Sequence, residues 1–387
     1  MKSIFKKSFA FILAAVMVLS LAACGGYTAD NTEFVIGVSG PLTGPAAVYG
    51  TAVKNSAQMA VDEINAAGGL GGVKFKLVVT DDVHDATKVA ANYASMLEGG
   101  MQVSLGTVTT APGLEYTKLS KEDNVFFLTP SASGDKIPEF DNGFQMCFAD
   151  GNQGKVAADY VNGLGVTEIG VFYKSDDPYS DGIYKQFKAA LNSTIKVTET
   201  VFTGEPSDFS TQINTLKDCK FIFMPIYYQP ASIFMTQAKS IIAPDAVYYG
   251  CDGFDGLAGQ FEDFSVIPQE VSMLSHFDSN ATEGAAATFV QKYTEKFGAD
   301  TLNQFGASAY DCVYAIYNAM KKAVDDGKEI PVTISASDLC DILKDVFAGD
   351  FTYSGVTGTN IKWQDNGYVE KGAVKYVLKT ANAADEK

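Results

Sequence analysis

The sequence contains no arginine, because all 29 of its basic residues are lysines. Arginine is the usual bidentate partner of phosphates and carboxylates, so any anion bound by this chain must rely on backbone N–H groups, hydroxyls or lysine. The 387 residues include 46 acidic side chains, and the net charge is −17 at pH 7. Such a chain repels a phosphate backbone, so we expect no nucleic-acid partner.

Histidine and cysteine are also scarce, which limits metal and redox chemistry. The chain has two histidines, His84 and His276, and six cysteines without a C-x-x-C spacing. We therefore predict no metal site and no cofactor. An odd number of cysteines follows Cys24, so at least one thiol is expected to be free, and most are expected to be small buried apolar residues. These five are Cys147, Cys219, Cys251, Cys312 and Cys340.

Sequence motifs of catalysis are absent as well. The first predicted strand-to-helix turn, at residues 40–44, reads GPLTG and lacks the G-x-G-x-x-G of dinucleotide-binding enzymes. The G-x-S-x-G nucleophile elbow of hydrolases does not occur anywhere in the chain. We therefore expect a binding protein and not an enzyme.

The amino-terminal segment has the pattern of a secretion signal. Residues 1–23 carry three lysines ahead of an apolar run that is too short for a membrane-spanning helix. The small residues before Cys24 resemble the lipobox of bacterial lipoproteins, which implies that Cys24 is lipidated and that residues 24–33 form a tether. The expected product is extracytoplasmic, anchored by lipid to the bacterial cell membrane, with a net charge near −20 because the three lysines are removed.

The rest of the chain alternates between apolar strands and amphipathic helices. This βα alternation predicts an α/β fold with mostly parallel, doubly wound sheets, and the length predicts two lobes. We assign residues 34–148 plus 277–370 to the first lobe and residues 149–276 plus 371–387 to the second. The lobes are then joined by a hinge with several crossovers, and a clamp that closes on a small ligand is the simplest use of that shape.

Individual elements follow from apolar periodicity. It predicts helices at residues 87–97, 231–241 and 305–323. Residues 351–378 are predicted to be β-rich, with a hairpin-like turn at the sequence QDNG. No helix or strand is predicted between residues 324 and 350.

Two consecutive strand-to-helix turns are rich in hydroxyl groups. Residues 103–113 read VSLGTVTTAPG and residues 125–134 read VFFLTPSASG. In a parallel sheet such turns line the ligand crevice, and helix amino ends offer free N–H groups to an anion. We predict a carboxylate pocket here, although the same hydroxyls could serve only as helix caps. The candidate residues are Thr109, Thr110, Ser131, Ala132 and Ser133.

A series of motifs over residues 34–378 resembles the leucine/isoleucine/valine-binding protein family, the type I periplasmic solute-binding proteins of branched-chain amino acid ABC transporters. No single motif is decisive, but their order over nearly the whole chain is specific. The segments that carry the resemblance are IGVSGPLTGPAAVYG, DEINAAGGLGG, LVVTDD, LTPSAS, D-x-x-Q-G at residues 150–154, YSDG, YGCDG and AYDCVYA.

The resemblance implies roles for several residues. The two hydroxyl turns would hold the ligand's α-carboxylate through Thr110, Ser131 and Ser133, and Ser131 also stands where the family uses backbone groups, including a carbonyl directed at the ammonium. Asp252 would pair with the ligand's ammonium, although an Asp before a Gly is also common in turns. The aromatic walls would be Tyr49, Tyr179 and Tyr227, although most of the 19 tyrosines must serve packing.

The sequence departs from the family at two places. Asp252 replaces the family's glutamate, so the ammonium must lie closer or be bridged by water. The disulfide of some relatives is missing, because His84 and Thr109 occupy the matching positions. We expect His84 to lie at the surface or on the hinge side, without ligand contact.

The expected function is that of a monomeric substrate-binding lipoprotein of an ABC importer. Its partners would be a small amino acid, branched-chain by family default, and the permease and ATPase subunits in the membrane. Two alternatives remain open. The protein could be a ligand-binding sensor, or it could bind a different ligand such as an aromatic acid, a short amide or urea.

Overall fold

The structure is a computed structural model that describes residues 31–382. The predicted signal segment, residues 1–23, and the predicted lipidation site Cys24 lie outside the described residues, as does most of the tether. Within the described part, no helix is both long enough and apolar enough to cross a membrane.

The first half of the chain builds a five-stranded sheet in the order β2-β1-β3-β4-β5, and all of its neighbouring strands are parallel. Every residue of β1 is buried, as expected for a parallel strand with helices on both faces. The strands are β1 (Phe34–Gly40), β2 (Phe75–Asp81), β3 (Val103–Ser104), β4 (Phe127–Thr129) and β5 (Gly143–Gln145).

Six helices accompany this sheet in sequence, three between its strands and three that return late in the chain. They are α1 (Ala47–Ala66), α2 (Val89–Glu98), α3 (Thr110–Glu122), α8 (Gly284–Phe297), α9 (Gln304–Asp325) and α10 (Ala336–Ala348). Helices α1 and α9 pack closely at Gly306, where an added Cβ would lie 2.9 Å from the Ser56 hydroxyl. The late helix α9 therefore belongs to the core of the first lobe.

The second sheet has six strands in the order β11-β10-β9-β8-β6-β7, and only β11 is antiparallel to its neighbour. Its strands are β6 (Glu168–Lys174), β7 (Lys196–Phe202), β8 (Phe221–Met224), β9 (Val247–Gly250), β10 (Glu270–Ser275) and β11 (Val374–Lys379). Its helices are α4 (Asp150–Gly163), α5 (Pro178–Ala190), α6 (Ser210–Leu216) and α7 (Tyr228–Ala238). The predicted α/β class with two mostly parallel sheets is confirmed.

The chain passes between the two sheets three times. The crossovers follow β5, follow β10 and precede β11. The residue boundaries assigned to the lobes from the sequence stay a prediction.

Three element predictions need correction. Helix α10 was not predicted, although Ser335 caps it by accepting a hydrogen bond from the Asp338 N–H. Residues 351–373 hold isolated bridges and no strand, so the β-rich prediction is wrong except for β11. The hairpin-like turn predicted at QDNG is present, between the antiparallel bridge partners Trp363 and Val369. Helix α7 begins at Tyr228 and not at residue 231, because Pro230 is tolerated in a first helical turn. This early start puts Tyr227 at the N-cap of α7.

The five described cysteines are all free and buried, as predicted for most of them. No group of three or more metal-ligating side chains is found between residues 31 and 382.

Candidate functional site

The two hydroxyl-rich turns lie side by side, because β3 and β4 are neighbours in the first sheet. The Thr129 hydroxyl at the end of β4 donates to the Thr107 carbonyl at 2.8 Å and accepts from the N–H groups of Ser131 and Ala132 at 3.3 and 3.0 Å. One hydroxyl therefore joins the turns and fixes their relative position. Pairing of the turns is what the sequence predicted from their place after adjacent strands.

Thr110, Ser131 and Ser133 are buried in this pair of turns. Thr110 is the first residue of α3, and its hydroxyl has no hydrogen-bond partner among the described residues. Ser133 accepts the Asp150 N–H on its carbonyl at 2.8 Å, so it contacts the first turn of α4 in the second lobe. A buried hydroxyl without a partner is costly unless a ligand or water satisfies it.

Two other predicted residues of these turns are already engaged within the protein. The hydroxyl of Thr109, the N-cap of α3, lies 2.9 Å from Nδ1 of His84. Ala132 donates its N–H to Thr129, accepts Gln145 Nε2 on its carbonyl at 3.0 Å, and packs its side chain in an apolar cluster with Phe127 and Ile137. Ala132 thus has no free backbone group to offer a ligand.

Asp252 comes from the second lobe and is almost completely buried. It opens a short 3₁₀ turn, Asp252–Phe254, directly after β9. The Tyr179 hydroxyl donates to Asp252 Oδ1 at 2.7 Å and accepts the Gly253 N–H at 2.9 Å, while the Asp252 N–H donates to Gln153 Oε1 at 3.1 Å. Burial raises the pKa of Asp252 to about 6, against the lowering effect of these two side chains.

The predicted aromatic residues gather around the Asp252 turn. The Tyr49 hydroxyl donates to the Gly253 carbonyl at 2.6 Å, which joins α1 of the first lobe to the second lobe. Tyr227 stacks flat on Tyr179 with ring centroids 4.5 Å apart. The Tyr227 hydroxyl is buried and has no partner among the described residues. Tyr228, whose hydroxyl lies 3.4 Å from the Val48 nitrogen, is buried nearby and meets Tyr49 edge to face.

Asp150 is an additional buried acid that sequence reasoning passed over. It starts α4, and its Oδ2 has no partner among the described residues. Gln153 lies between the two acids, since its amide is 3.5 Å from Asp150 Oδ1 and its carbonyl accepts the Asp252 N–H. Burial, and then the nearby charge of Asp252, raises the pKa of Asp150 well above its ordinary value. The D-x-x-Q-G motif was the available signal, because it contains both Asp150 and Gln153.

The prediction that His84 lies at the surface or on the hinge side is wrong. His84 is half-buried in the wall between the lobes, and its ring meets Tyr227 edge to face at 5.1 Å. The loop reaches this position through left-handed backbone at Val83 and His84, whose N–H groups donate to Asp81 and Asp82. Such local Asp hydrogen bonds stabilise a turn that the sequence alone does not reveal.

A small cavity adjoins Tyr227 and is lined from both lobes. Most of its exposed lining is apolar, from side chains such as Phe202 and Ile226, and its polar groups include His84 and the Lys174–Glu205 ion pair. The site as a whole combines two buried acids, a free hydroxyl on Thr110 and an adjacent apolar space. No lysine forms an ion pair with Asp150 or Asp252 in the described part of the chain. Such a site favours a ligand that brings its own positive charge.

The sequence matches the family model described as periplasmic binding protein over residues 33–368. Among curated proteins, it is 28% identical over 342 residues to the Leu/Ile/Val-binding protein BraC3 of Rhizobium johnstonii, covering 83% of this chain and 90% of that protein. It is 26% identical to the leucine-, isoleucine-, valine-, threonine- and alanine-binding protein of Pseudomonas aeruginosa, over 61% of this chain and 64% of that protein.

Solved structures share the fold. The substrate-binding protein LivJ of Streptococcus pneumoniae, in complex with isoleucine, superposes with a TM-score of 0.78 at 25% identity, over 90% of this chain and 98% of LivJ. A benzoate complex of a solute-binding protein from R. palustris gives a TM-score of 0.74 at 16% identity, over 90% of this chain and 94% of that protein. The architecture is therefore the type I periplasmic binding protein fold.

Proposed function

Because this chain belongs to the periplasmic binding protein family, we propose that it captures a small amino acid between its lobes and delivers it to an ABC importer. The observation that carries the proposal is that three of the buried polar atoms without partners among residues 31–382 belong to the candidate site. They are Thr110 Oγ1, Asp150 Oδ2 and Tyr227 Oη. A zwitterionic ligand supplies donors and acceptors for all three.

In this proposal, the two ends of the zwitterion bind to opposite lobes. Thr110, Ser131 and Ser133 hold the α-carboxylate with hydroxyls and N–H groups, since no arginine is available. Asp252, which accepts a hydrogen bond from Tyr179 and has Asp150 close by, holds the ammonium. The positive charge of the ammonium then lowers the raised pKa of Asp252. The aromatic rings of Tyr49 and Tyr227 form the sides of the ligand site.

The apolar cavity beside Tyr227 supports an aliphatic side chain, and a branched-chain amino acid is the first candidate. The names of BraC3 and of the P. aeruginosa relative, and the isoleucine held by LivJ, favour the same class. The rest of the proposal follows from the sequence. A lipid on Cys24 anchors a monomer outside the cell membrane, where permease and ATPase subunits receive the ligand.

An aromatic acid is the second candidate, since a protein of this fold binds benzoate. Two buried carboxyl groups weigh against it, because a ligand that carries only a carboxylate leaves them without a positive partner. A sensory role would use the same site; loss of amino acid uptake on deletion of the gene favours transport, and unchanged uptake favours sensing.

The test is a thermal-shift screen of the purified protein against the twenty amino acids, benzoate, urea and short amides. A ligand at 100 times its dissociation constant should stabilise the fold by about 2.7 kcal/mol. Matched controls are 4-methylpentanoate, which is leucine without its ammonium, and 3-methylbutylamine, which is leucine without its carboxylate. Stabilisation by leucine or isoleucine but by neither control supports the proposal, and stabilisation by benzoate alone rejects it.

A further inference from the structure

The turn that carries Asp252 presents a second carboxylate in another direction. Asp255 ends the 3₁₀ turn Asp252–Phe254, and its own N–H donates to the Asp252 carbonyl at 2.9 Å. Its Oδ2 accepts the backbone N–H of Gln304 at 2.9 Å. Gln304 is the first residue of α9, so this hydrogen bond joins the second-lobe turn to a helix of the first lobe.

The amino end of α9 leaves one N–H group for this contact. The Asn303 side chain accepts from Phe305 and Gly306, at 3.1 and 2.9 Å, and the Asn303 carbonyl accepts from Ala307 at 3.2 Å. Within residues 31–382, the first N–H, that of Gln304, finds an acceptor in Asp255 alone. An anion at this position also gains from the dipole of a 22-residue helix.

The contact depends on the closed arrangement of the lobes. When the lobes separate, Asp255 and the Gln304 N–H both return to water, and the charge-assisted hydrogen bond is lost. The Tyr49 hydroxyl also donates to the Gly253 carbonyl of this turn, so the first lobe makes hydrogen bonds to the turn on either side of Phe254. Neither hydrogen bond uses the Asp252 side chain, which stays available to the ligand.

We propose that Asp255 is a closure latch, a positioning residue that sets ligand affinity by docking on the amino end of α9 without touching the ligand. This rests on the proposed function only in so far as closure accompanies ligand capture. Because a ligand gains from closure only through interactions made in the closed state, the latch adds directly to apparent affinity. It acts from the same rigid turn that supplies the ligand's ammonium partner.

The test compares the Asp255→Ala and Asp255→Asn variants with wild type by calorimetric titration of L-leucine. Asp255→Ala should raise the dissociation constant about tenfold, mainly through faster release. Asp255→Asn keeps an acceptor but loses the charge, so its dissociation constant should lie between those of wild type and Asp255→Ala. The matched control is Asp263→Asn, which alters another acid of the same segment whose backbone partner, Ser265, is its own neighbour; it should match wild type.

A second measurement separates a latch from a purely structural residue. The circular dichroism spectrum of Asp255→Ala without ligand should match that of wild type, which shows that the variant is folded, and X-ray scattering should show the same closed form as wild type at saturating L-leucine. The latch is rejected if the dissociation constant of Asp255→Ala matches that of wild type, or if Asp263→Asn weakens binding equally. If wild type binds no amino acid, the proposed function fails, and scattering of the ligand-free proteins then decides: a more open Asp255→Ala supports the latch, and identical curves reject it.

Discussion

Two carboxyl groups at the centre of the site, those of Asp150 and Asp252, are buried with raised pKa values and without a lysine partner among the described residues. An isolated buried carboxylate is unfavourable, so each group is either protonated or paired with a cation brought by the ligand. The site is thus organised around a charge that the protein itself does not supply.

Replacing Asp252 with Asn tests this directly. The variant keeps an acceptor for the Tyr179 hydroxyl, and it should lose a few kcal/mol of binding free energy because the ligand's ammonium is left without its anion. The measurement is a calorimetric titration with L-leucine. Glu262→Gln, an exposed acid of the following segment, is the control and should bind like wild type. An unchanged dissociation constant in Asp252→Asn would put the amino-acid proposal aside.

His84 predicts a dependence of affinity on pH. Burial lowers the pKa of His84 to about 4, with a smaller contribution from Lys174, and Glu205 and Asp85 act in the opposite direction. In an open, solvated state this pKa returns towards about 6.5. As the pH falls from about 6.5 to 4, the open form therefore takes up a proton that the closed form excludes, so ligand binding weakens.

The measurement compares the dissociation constant of L-leucine at pH 5 and pH 7.5 in wild type and His84→Gln. Asp252 also titrates in this range and remains in both proteins, so the difference between them reports His84. Wild type should lose about thirtyfold more affinity at pH 5 than the variant does. Equal losses would show that His84 does not change its pKa on closure.

At the scale of elements, one loop of the first lobe wraps around a single carboxylate. Asp311 of α9 accepts hydrogen bonds from the Tyr353 hydroxyl at 2.9 Å and from the N–H groups of Val356 and Thr357 at 2.8 and 2.7 Å. Gly355 lies between these donors, and an added Cβ there would lie 2.1 Å from Asp311 Oδ1. The loop can close on the carboxylate only because this residue lacks a side chain.

Gly355→Ala should therefore lower the free energy of unfolding by about 2 kcal/mol or more, through the clash with Asp311 and Tyr353. Urea unfolding followed by circular dichroism measures this change. The control is Gly372→Ala, because an added Cβ at Gly372 meets no atom within 4 Å. Similar losses in the two variants would contradict the explanation.

The elements nearest the site were the most predictable from the sequence. The turns after β3 and β4 combine buried apolar strands with hydroxyls and a proline, and these are local signals. Helix α10 was missed despite its S-x-x-D cap, and the turns of residues 351–373 were mistaken for strands. The turns of residues 351–373 are held by contacts with distant residues such as Asp311, which no local pattern encodes, whereas α10 carried a local signal in its cap.

At the scale of the whole molecule, the three crossovers meet on one face of α9. The ring of Phe148 packs edge to face on His276 at 5.0 Å, and His276 Nε2 lies 2.8 Å from the Ser308 hydroxyl. Lys371 donates to the Thr357 hydroxyl at 2.6 Å, and that hydroxyl donates to Asp311 at 2.5 Å. Three segments far apart in sequence are thereby fixed to a single helix, which defines where the hinge can turn.

Lys371 predicts how the stability of this hinge depends on pH. It is only 8% exposed, has no carboxylate within 4.0 Å among the described residues, and burial lowers its pKa to about 8. The unfolded chain binds more protons at Lys371 between about pH 8 and 10.5, so the contribution of Lys371 to the free energy of unfolding should rise with pH across that window. The five buried thiols, whose pKa values burial raises, contribute in the opposite direction, so the effect of Lys371 is read from the difference between wild type and a variant. Below pH 8 the buried ammonium lowers stability.

Lys371→Met should leave stability at pH 7 equal to or above that of wild type, since apolar replacement of a buried charge is often neutral or stabilising. Between pH 8 and 10 the free energy of unfolding of the variant should fall relative to that of wild type, because the variant lacks the contribution of Lys371. Urea unfolding between pH 7 and pH 10 measures both effects. The exposed Lys362→Met is the control and should keep the wild-type pH profile. A variant several kcal/mol less stable at pH 7 would show that the ammonium is needed for folding.

The sequence predicted two lobes and a ligand between them, but it did not identify which residues meet across the gap. His84 meets Tyr227, and Asp255 meets Gln304, across the two lobes. These pairs are separated by many residues and lie on different sheets. Their contact is a property of the assembled molecule, which explains why His84 was misplaced and Asp255 was passed over.

The five buried thiols have a practical consequence for measuring closure of the two lobes. Maleimide dyes require a solvent-accessible sulfur, so the folded lobes present none of these five to the reagent. In a chain that begins after Cys24, a single cysteine introduced on the rim of the cleft would therefore take the fluorophore alone. The protein is thus suited to become a reagentless optical sensor, whose emission changes each time the two halves come together.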